Sequence, residues 1–118
     1  MAFKTTIHGT EYAMATTLRV AYVLQKQHNH KPYNQIFSEL GDMTIEDQIG
    51  VLYASFSLAN PSSDITQTEF VDYYLDHYDL KYIMGQLETL ISEVTGMDIQ
   101  KDEAPKGNRT GKGKNQGN

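Results

Sequence analysis

The sequence predicts a mainly α fold: a small helical domain of about five helices with a short N-terminal β-hairpin and a disordered C-terminal tail. Three observations predict it. The first residues alternate between apolar and polar, five later segments repeat apolar residues every third or fourth position, and the last segment loses all apolar periodicity. The predicted domain therefore spans residues 1–97, and the tail spans residues 98–118.

The hairpin is predicted from the segment AFKTTIH, in which Phe3, Thr5 and Ile7 fall on one face and the intervening residues on the other. Gly9 marks the turn, and EYAMA continues the alternation on the return strand. Because an isolated two-stranded hairpin is barely stable in water, we expect it to pack against the helices or against another chain.

Helical spacing and capping residues locate the five helices. The first runs from an N-cap at Thr16 or Thr17 to about His28, and the second covers YNQIFSEL with Gly41 as its C-terminal cap. The third runs from a capping box at Thr44 to about Ala59, and the fourth from a second capping box at Thr66 to a break near His77–Asp79. The fifth runs from Leu80 to Gly96. No charged residue occurs from Gln48 to Ser63, so the third helix is predicted to be the central, most buried one.

Composition excludes several classes of site. The chain has 118 residues, which fits one domain, and no cysteine, which excludes disulfides, iron–sulfur clusters and cysteine-ligated zinc. The segment MAFKTTIHGTEY has no apolar run typical of a signal peptide. The longest uncharged apolar stretch, residues 49–59, is far shorter than the roughly 20 residues of a membrane span. These features predict a soluble intracellular protein that does not enter a membrane.

The net charge of −5 is unevenly distributed. Residues 101–118 hold five Lys or Arg against two acidic residues, a charge of +3, so residues 1–100 carry −8. An acidic body argues against a folded nucleic-acid-binding surface, because phosphates are bound by clustered Lys and Arg. We interpret the basic tail as a solubilising segment, with weak contact to nucleic acid as the alternative.

The segment QKQHNHKPY raises the question of a metal site, because it places His28, Asn29 and His30 side by side. Ligand pairs on a helix are usually four residues apart, whereas His28 and His30 are two apart, and no motif supplies a third ligand. We interpret the segment as a solvated helix end, with the histidines near the negative end of the helix dipole. A metal site and a pH sensor are the alternatives.

No other segment predicts catalysis. Asp72, Asp76 and Asp79 form an acidic cluster beside His77, but the pattern of a calcium-binding loop is absent, which favours a solvated helix face. The serines of the third helix fall in a segment predicted to be buried, and the glycine motifs of phosphate and dinucleotide sites are missing. We therefore expect a non-enzymatic protein with no catalytic residues, no cofactor and no metal.

Four side chains are candidate partner-binding residues. Tyr73 and Tyr82 fall off the apolar stripes of their helices, and exposed aromatic residues favour binding to a partner. Val51 and Leu58 add apolar surface on a second side of the third helix. These two residues either pack beneath the hairpin or contact a partner.

Three segments resemble the tail assembly chaperones of long-tailed phages (siphoviruses) and prophages of Gram-positive bacteria. They are MAFKTTIHGTEYAMATTLRVAYVLQKQHNHKPYNQIF, MTIEDQIGVLYASFSLANP and TQTEFVDYYLDHYDLKYIMGQLETLI, which together cover most of residues 1–95. The resemblance implies a small helical protein of the bacterial host cytoplasm that is absent from the mature virion. Such a protein binds the tape measure protein and keeps its apolar helices soluble until tail tube subunits polymerise around it.

The resemblance also bears on the tail. This family often makes a second, longer product through a programmed ribosomal frameshift, and the codons for Gly111–Lys114 (GKGK) can form a slippery run. On this hypothesis the 118-residue chain is the short product, and its tail becomes a linker to a second domain in the longer one. The nucleotide sequence tests the hypothesis, which is abandoned if no slippery run is present.

The expected mechanism is reversible capture of amphipathic tape measure helices on apolar surface, with a charged exterior for solubility. Self-association into a homo-oligomer is also expected, because many weakly bound copies along a long client gain from multivalency. One alternative is a small phage regulatory or adaptor protein that binds a host protein or, through its basic tail, nucleic acid. The other is a metal-dependent enzyme that uses His28 and His30.

Overall fold

The computed structural model describes residues 3–96 and confirms a mainly helical fold with an N-terminal hairpin. Its elements are β1 Lys4–Ile7, β2 Thr10–Ala13, α1 Leu18–Gln27, α2 Tyr33–Ser38, α3 Ile45–Ala59, α4 Gln67–His77 and α5 Leu80–Thr95, with a short 3-10 turn at Leu40–Asp42. The predicted tail, residues 98–118, lies outside the described residues.

The hairpin turns through His8 and Gly9, between two antiparallel strands. Both turn residues have positive φ, 52° and 79°, as the tightest hairpin turns require and as glycine adopts without steric cost. Thr5 and Ile7 are buried, which confirms the face predicted from the alternation, and the partly buried Phe3 packs against the same core. The hairpin therefore packs on the helical body.

α3 is the central helix, as predicted, and packs against α1, α4, α5 and β2. Thr44 begins the helix by accepting a hydrogen bond from the Asp47 N–H at 3.1 Å. The chain leaving β2 is fastened to the middle of α3, because the Ala15 N–H donates to the Ser55 carbonyl and the Ser55 hydroxyl donates back to the Ala15 carbonyl at 2.6 Å. The buried Ser55 hydroxyl is thus used for folding.

The predicted end of the second helix was wrong. α2 ends at Ser38, and Gly41 lies in the 3-10 turn without the positive φ of a C-terminal cap. The Gln48 side chain of α3 donates to the Leu40 carbonyl at 2.7 Å, so a tertiary hydrogen bond satisfies a carbonyl of this turn. In contrast, Gly96 ends α5 with φ 74°, as predicted.

A buried chain of hydrogen bonds joins the hairpin to α4 and α5. The Thr5 hydroxyl lies 2.7 Å from the Tyr74 hydroxyl, which donates to Gln86 Oε1 at 2.6 Å. Since a phenol has one proton to donate, Thr5 is the donor in the first bond. Gln86 Nε2 donates to the Lys4 carbonyl at 3.3 Å and to the Tyr82 hydroxyl at 3.2 Å. The helices and β1 are thereby held in register.

The outer edge of β1 is partly closed by the same helices. Ile7 and Thr10 close the two-residue turn, so alternation of the ladder directs the backbone groups of Lys4 and Thr6 away from β2. The Lys4 carbonyl accepts from Gln86, and the Thr6 carbonyl accepts from the Tyr78 hydroxyl at 2.6 Å. An incoming strand would find these acceptors already engaged, which protects the edge from pairing with another chain.

Replacing Tyr74 by Phe is expected to destabilise the domain. The substitution removes one hydroxyl and leaves the buried Thr5 hydroxyl and Gln86 Oε1 without that partner, which lowers the free energy of unfolding by about 1–3 kcal/mol in urea titrations. Tyr33→Phe is the matched control, because Tyr33 is exposed and its hydroxyl bonds to no described residue. Equal effects of the two substitutions would contradict the assigned network.

Tyr74 is also expected to make stability depend on alkaline pH. Burial raises the pKa of this hydroxyl above its ordinary value of 10.0. In the unfolded chain the group ionises near that value, whereas in the fold it keeps its proton to higher pH. The contribution of the protonated Tyr74 hydroxyl to the free energy of unfolding is therefore complete below about pH 10 and is lost as the pH rises further. The free energy of unfolding of the wild type should fall more steeply above pH 10 than that of Tyr74→Phe. If both proteins lose stability equally with rising pH, Tyr74 does not cause the dependence.

Candidate functional site

An open groove lies between β1 and the exposed side of α5, with a volume of about 580 Å³. We call it the β1–α5 groove. Its lining residues are Phe3, Lys4, Asp79, Lys81, Tyr82, Gly85, Gln86, Thr89 and Glu93. Along α5, Asp79 and Lys81 lie at one end and Glu93 at the other, with Tyr82, Gly85 and Thr89 between them in sequence. Lys4 of β1 lies beside Gln86, so the lining holds two basic and two acidic residues and has no net charge within an acidic domain.

Local capping sets the start of this surface. The Asp79 side chain accepts a hydrogen bond from the Tyr82 N–H at 2.9 Å and begins α5, immediately after α4 has ended. The Tyr82 ring stacks on the Tyr78 ring with their centroids 4.2 Å apart, and Tyr78 is tied to the Thr6 carbonyl of β1. Burial raises the pKa of the Tyr78 hydroxyl, which keeps the proton that this bond needs.

Gly85 lies in the middle of α5 and faces open space. A Cβ at this position would meet no other atom within 4 Å, and the residue is exposed. Glycine inside a helix costs roughly 0.5–1 kcal/mol relative to alanine, and no packing contact within the described residues offsets that cost. The missing side chain instead leaves room for the close approach of another molecule along the groove.

An aromatic row connects the groove to the hairpin turn. Tyr73 stacks on His77 at 4.1 Å and meets the His8 ring of the turn edge-on at 5.0 Å. The Tyr73 and Tyr78 rings are 5.9 Å apart, and Tyr78 in turn stacks on Tyr82. Tyr73 and Tyr82, both candidates from the sequence, thus belong to one continuous aromatic surface.

The other two candidates lie elsewhere. Val51 is only 1 % exposed and belongs to the core, and Leu58 is partly buried and packs against the core. Neither residue lines the β1–α5 groove, and the burial of Val51 favours packing inside the domain, one of the two placements expected for it. The physical reason is that α3 is covered by neighbours on several sides, so apolar residues off its main stripe are also buried.

Sequence reasoning missed most of the groove. Phe3 and Gln86 line it from elements far apart in the chain, and only the fold brings them together. Gly85 had a visible signal, because an isolated glycine inside a clean apolar repeat costs helix stability relative to alanine.

The adjacent histidines form the end of α1. Asn29 and His30 have φ of 61° and 63°, and the His30 N–H donates to the Gln25 carbonyl at 2.6 Å, a bond typical of helix ends that turn through left-handed residues. Within residues 3–96, no three His, Cys, Asp or Glu side chains come together as a metal site would require. The predicted helix end is confirmed.

Two further findings concern the remaining sequence candidates. The Asp79 carboxylate of the acidic cluster is used as the cap of α5, and Asp72 and Asp76 are exposed on α4. No helix in the described part of the chain is long and apolar enough to cross a membrane.

Comparisons with known proteins found no match: no family model, no curated protein and no solved structure is significantly similar to this chain.

His30→Gly is expected to raise the free energy of unfolding by up to about 1 kcal/mol, because glycine adopts positive φ without the steric cost that histidine bears. Thermal or urea unfolding measures the change. His28→Gly is the matched control, since His28 has φ −118° and glycine relieves nothing there. A larger gain at His28 than at His30 would contradict this description of the helix end.

Proposed function

We propose that this protein is a non-enzymatic assembly chaperone that binds amphipathic helices of a phage tape measure protein in the β1–α5 groove and keeps them soluble. The observation that carries the proposal is the groove itself, with an exposed glycine midway along its α5 wall, an aromatic face at Tyr82 and charges that balance to zero. The resemblance of the sequence to tail assembly chaperones supplies the identity of the client.

The dimensions of the groove suit a helical client. From Asp79 to Glu93 it follows α5 for 14 residue steps, about 21 Å at 1.5 Å per residue, or roughly four turns of a docked helix. Gly85 permits close approach at the middle, and Tyr82 offers a large apolar face that is 37 % exposed. Lys81 and Glu93 can pair with charges of either sign on the client's polar flanks, whereas Lys4 is already paired with Glu11 at 3.2 Å and Asp79 caps α5. This is recognition of an apolar helix face by a groove.

The charge of the domain supports the same role. Residues 3–96 carry five Lys or Arg and twelve Asp or Glu, a net charge of −7. Copies bound along an apolar client would give the complex a strongly acidic exterior, and net charge far from zero opposes aggregation. Binding of the client would end when tail tube subunits replace the chaperone.

Co-expression with the tape measure protein encoded nearby tests the proposal. We expect the client to become soluble and to elute with this chain in size exclusion with light scattering, which also gives the number of copies bound. If the client stays insoluble with both this chain and the frameshifted longer product, the proposed function is wrong.

Gly85→Leu is expected to abolish or strongly reduce solubilisation of the client. The leucine fills the middle of the groove, while its higher helix propensity should maintain or raise the stability of α5. Glu88→Leu is the matched control, because it places the same side chain at an exposed position of the same helix outside the groove. Circular dichroism verifies that both variants fold. Equal solubilisation by the two variants would place the client elsewhere.

A further inference from the structure

The exposed side of α1 carries an apolar patch with two cations. Leu18 and Tyr22 are 69 % and 48 % exposed. Arg19 and Lys26 both lean over the Tyr22 ring, at 5.5 Å and 4.7 Å from its centroid. With 3.6 residues per turn, these four side chains fall within about 100° of the helix surface. We call Leu18, Arg19, Tyr22 and Lys26 the α1 patch.

The exposed side of α4 has the complementary composition. Leu75 is an apolar residue that is 52 % exposed. Asp72 and Asp76, one turn apart, are exposed beside it. These three side chains also fall within about 100° of their helix surface. We call Asp72, Leu75 and Asp76 the α4 patch.

The charged side chains of the two patches are not paired with opposite charges among the residues that the structure describes. None of the four charged residues forms an ion pair with another residue of the range 3–96. Their positions are also unfavourable for an isolated chain. Arg19 lies in the first turn of α1, where the helix dipole disfavours cations, and Asp76 lies in the last turn of α4, where it disfavours anions. Asp72 and Asp76 repel each other at their four-residue spacing.

The separation of positive from negative charge extends over the whole described part of the chain. Residues 3–33 hold four Lys or Arg against one acidic residue, a charge of +3, whereas residues 34–96 hold one against eleven, a charge of −10. Two copies of the chain therefore attract each other when the N-terminal part of one faces the later helices of the other.

We propose that the α1 patch of one copy docks on the α4 patch of a second copy of this chain. Leu18 and Tyr22 cover Leu75, while Arg19 and Lys26 pair with Asp72 and Asp76. The contact joins two different patches, so it either closes a two-fold dimer, in which it forms twice, or repeats into a ring or filament. It requires no client and stands independently of the proposed chaperone function.

The first test is the mass of the full chain by sedimentation velocity over a range of concentrations. At about 50 mM salt we expect association that increases with concentration, and at about 500 mM salt we expect it to weaken, because salt screens exposed charges. A chain that stays monomeric at every concentration in low salt overturns the proposal.

Charge reversal gives the specific test. The variant R19E/K26E has two acidic patches and D72K/D76K has two basic ones, so each alone should remain monomeric. An equimolar mixture of the two should associate again, because the acidic α4 patch of the first variant meets the basic α1 patch of the second, and the reversed pair meets likewise. A mixture that stays monomeric overturns the proposal, as does wild-type association by either variant alone.

Two controls keep this result interpretable. E88K/E93K reverses two exposed acids of α5 and changes the net charge as much as D72K/D76K does. It should associate like the wild type; if it instead becomes monomeric, net charge or α5 carries the contact and the proposal fails. Thermal unfolding shows whether each variant folds, and Arg19→Glu and Asp76→Lys should each stabilise its helix end.

Discussion

The hydroxyl of Tyr74 lies where the hairpin, α4 and α5 meet, and the position of the hairpin depends on it. Two strands of four residues cannot fold alone, so β1 needs partners from the helices. The Thr5 hydroxyl donates to the Tyr74 hydroxyl, which donates to Gln86 Oε1. Gln86 Nε2 in turn donates to the Lys4 carbonyl. Because β1 forms one wall of the β1–α5 groove, the same network that completes the fold also shapes the proposed binding surface.

Because the groove is built from this hydrogen-bond network, few of its polar groups are free to recognise a ligand. Gln86 lines it, yet both ends of its amide are already bonded inside the domain, so it presents little unsatisfied polarity to a ligand. Selectivity for a small polar substrate usually comes from such unsatisfied groups. What remains is the shape of the groove, an aromatic face at Tyr82, the open space over Gly85 and charged side chains of both signs. These features favour an elongated apolar partner, such as one side of a helix.

The sequence allowed the architecture to be predicted because most of it is specified locally. Four local signals each act within a few residues: the N-cap at Thr44, the capping box at Thr66, the alternation that buries Thr5 and Ile7, and the glycine that ends α5. Tertiary contacts explain the errors: a hydrogen bond from Gln48 to Leu40 replaced the expected cap at Gly41. The placement of Val51 stayed open because the spacing of one helix cannot reveal how many neighbours surround it; the fold buries this residue. Tyr82 was selected from the sequence and lines the groove, whereas the spacing of residues along the chain could not show that Phe3 and Lys4 line it too.

The groove and the two charged patches share no residue, so the proposed binding of a client and the proposed contact between copies do not compete for the same side chains. Each surface is small, and a single helix in an open groove binds weakly. When neighbouring copies also hold each other, dissociation of one copy from the client no longer releases it, since its neighbours keep it at high local concentration. Weak individual contacts then combine into stable coverage of a long client while each contact remains reversible. That combination is what an assembly chaperone needs if arriving subunits are to displace it stepwise.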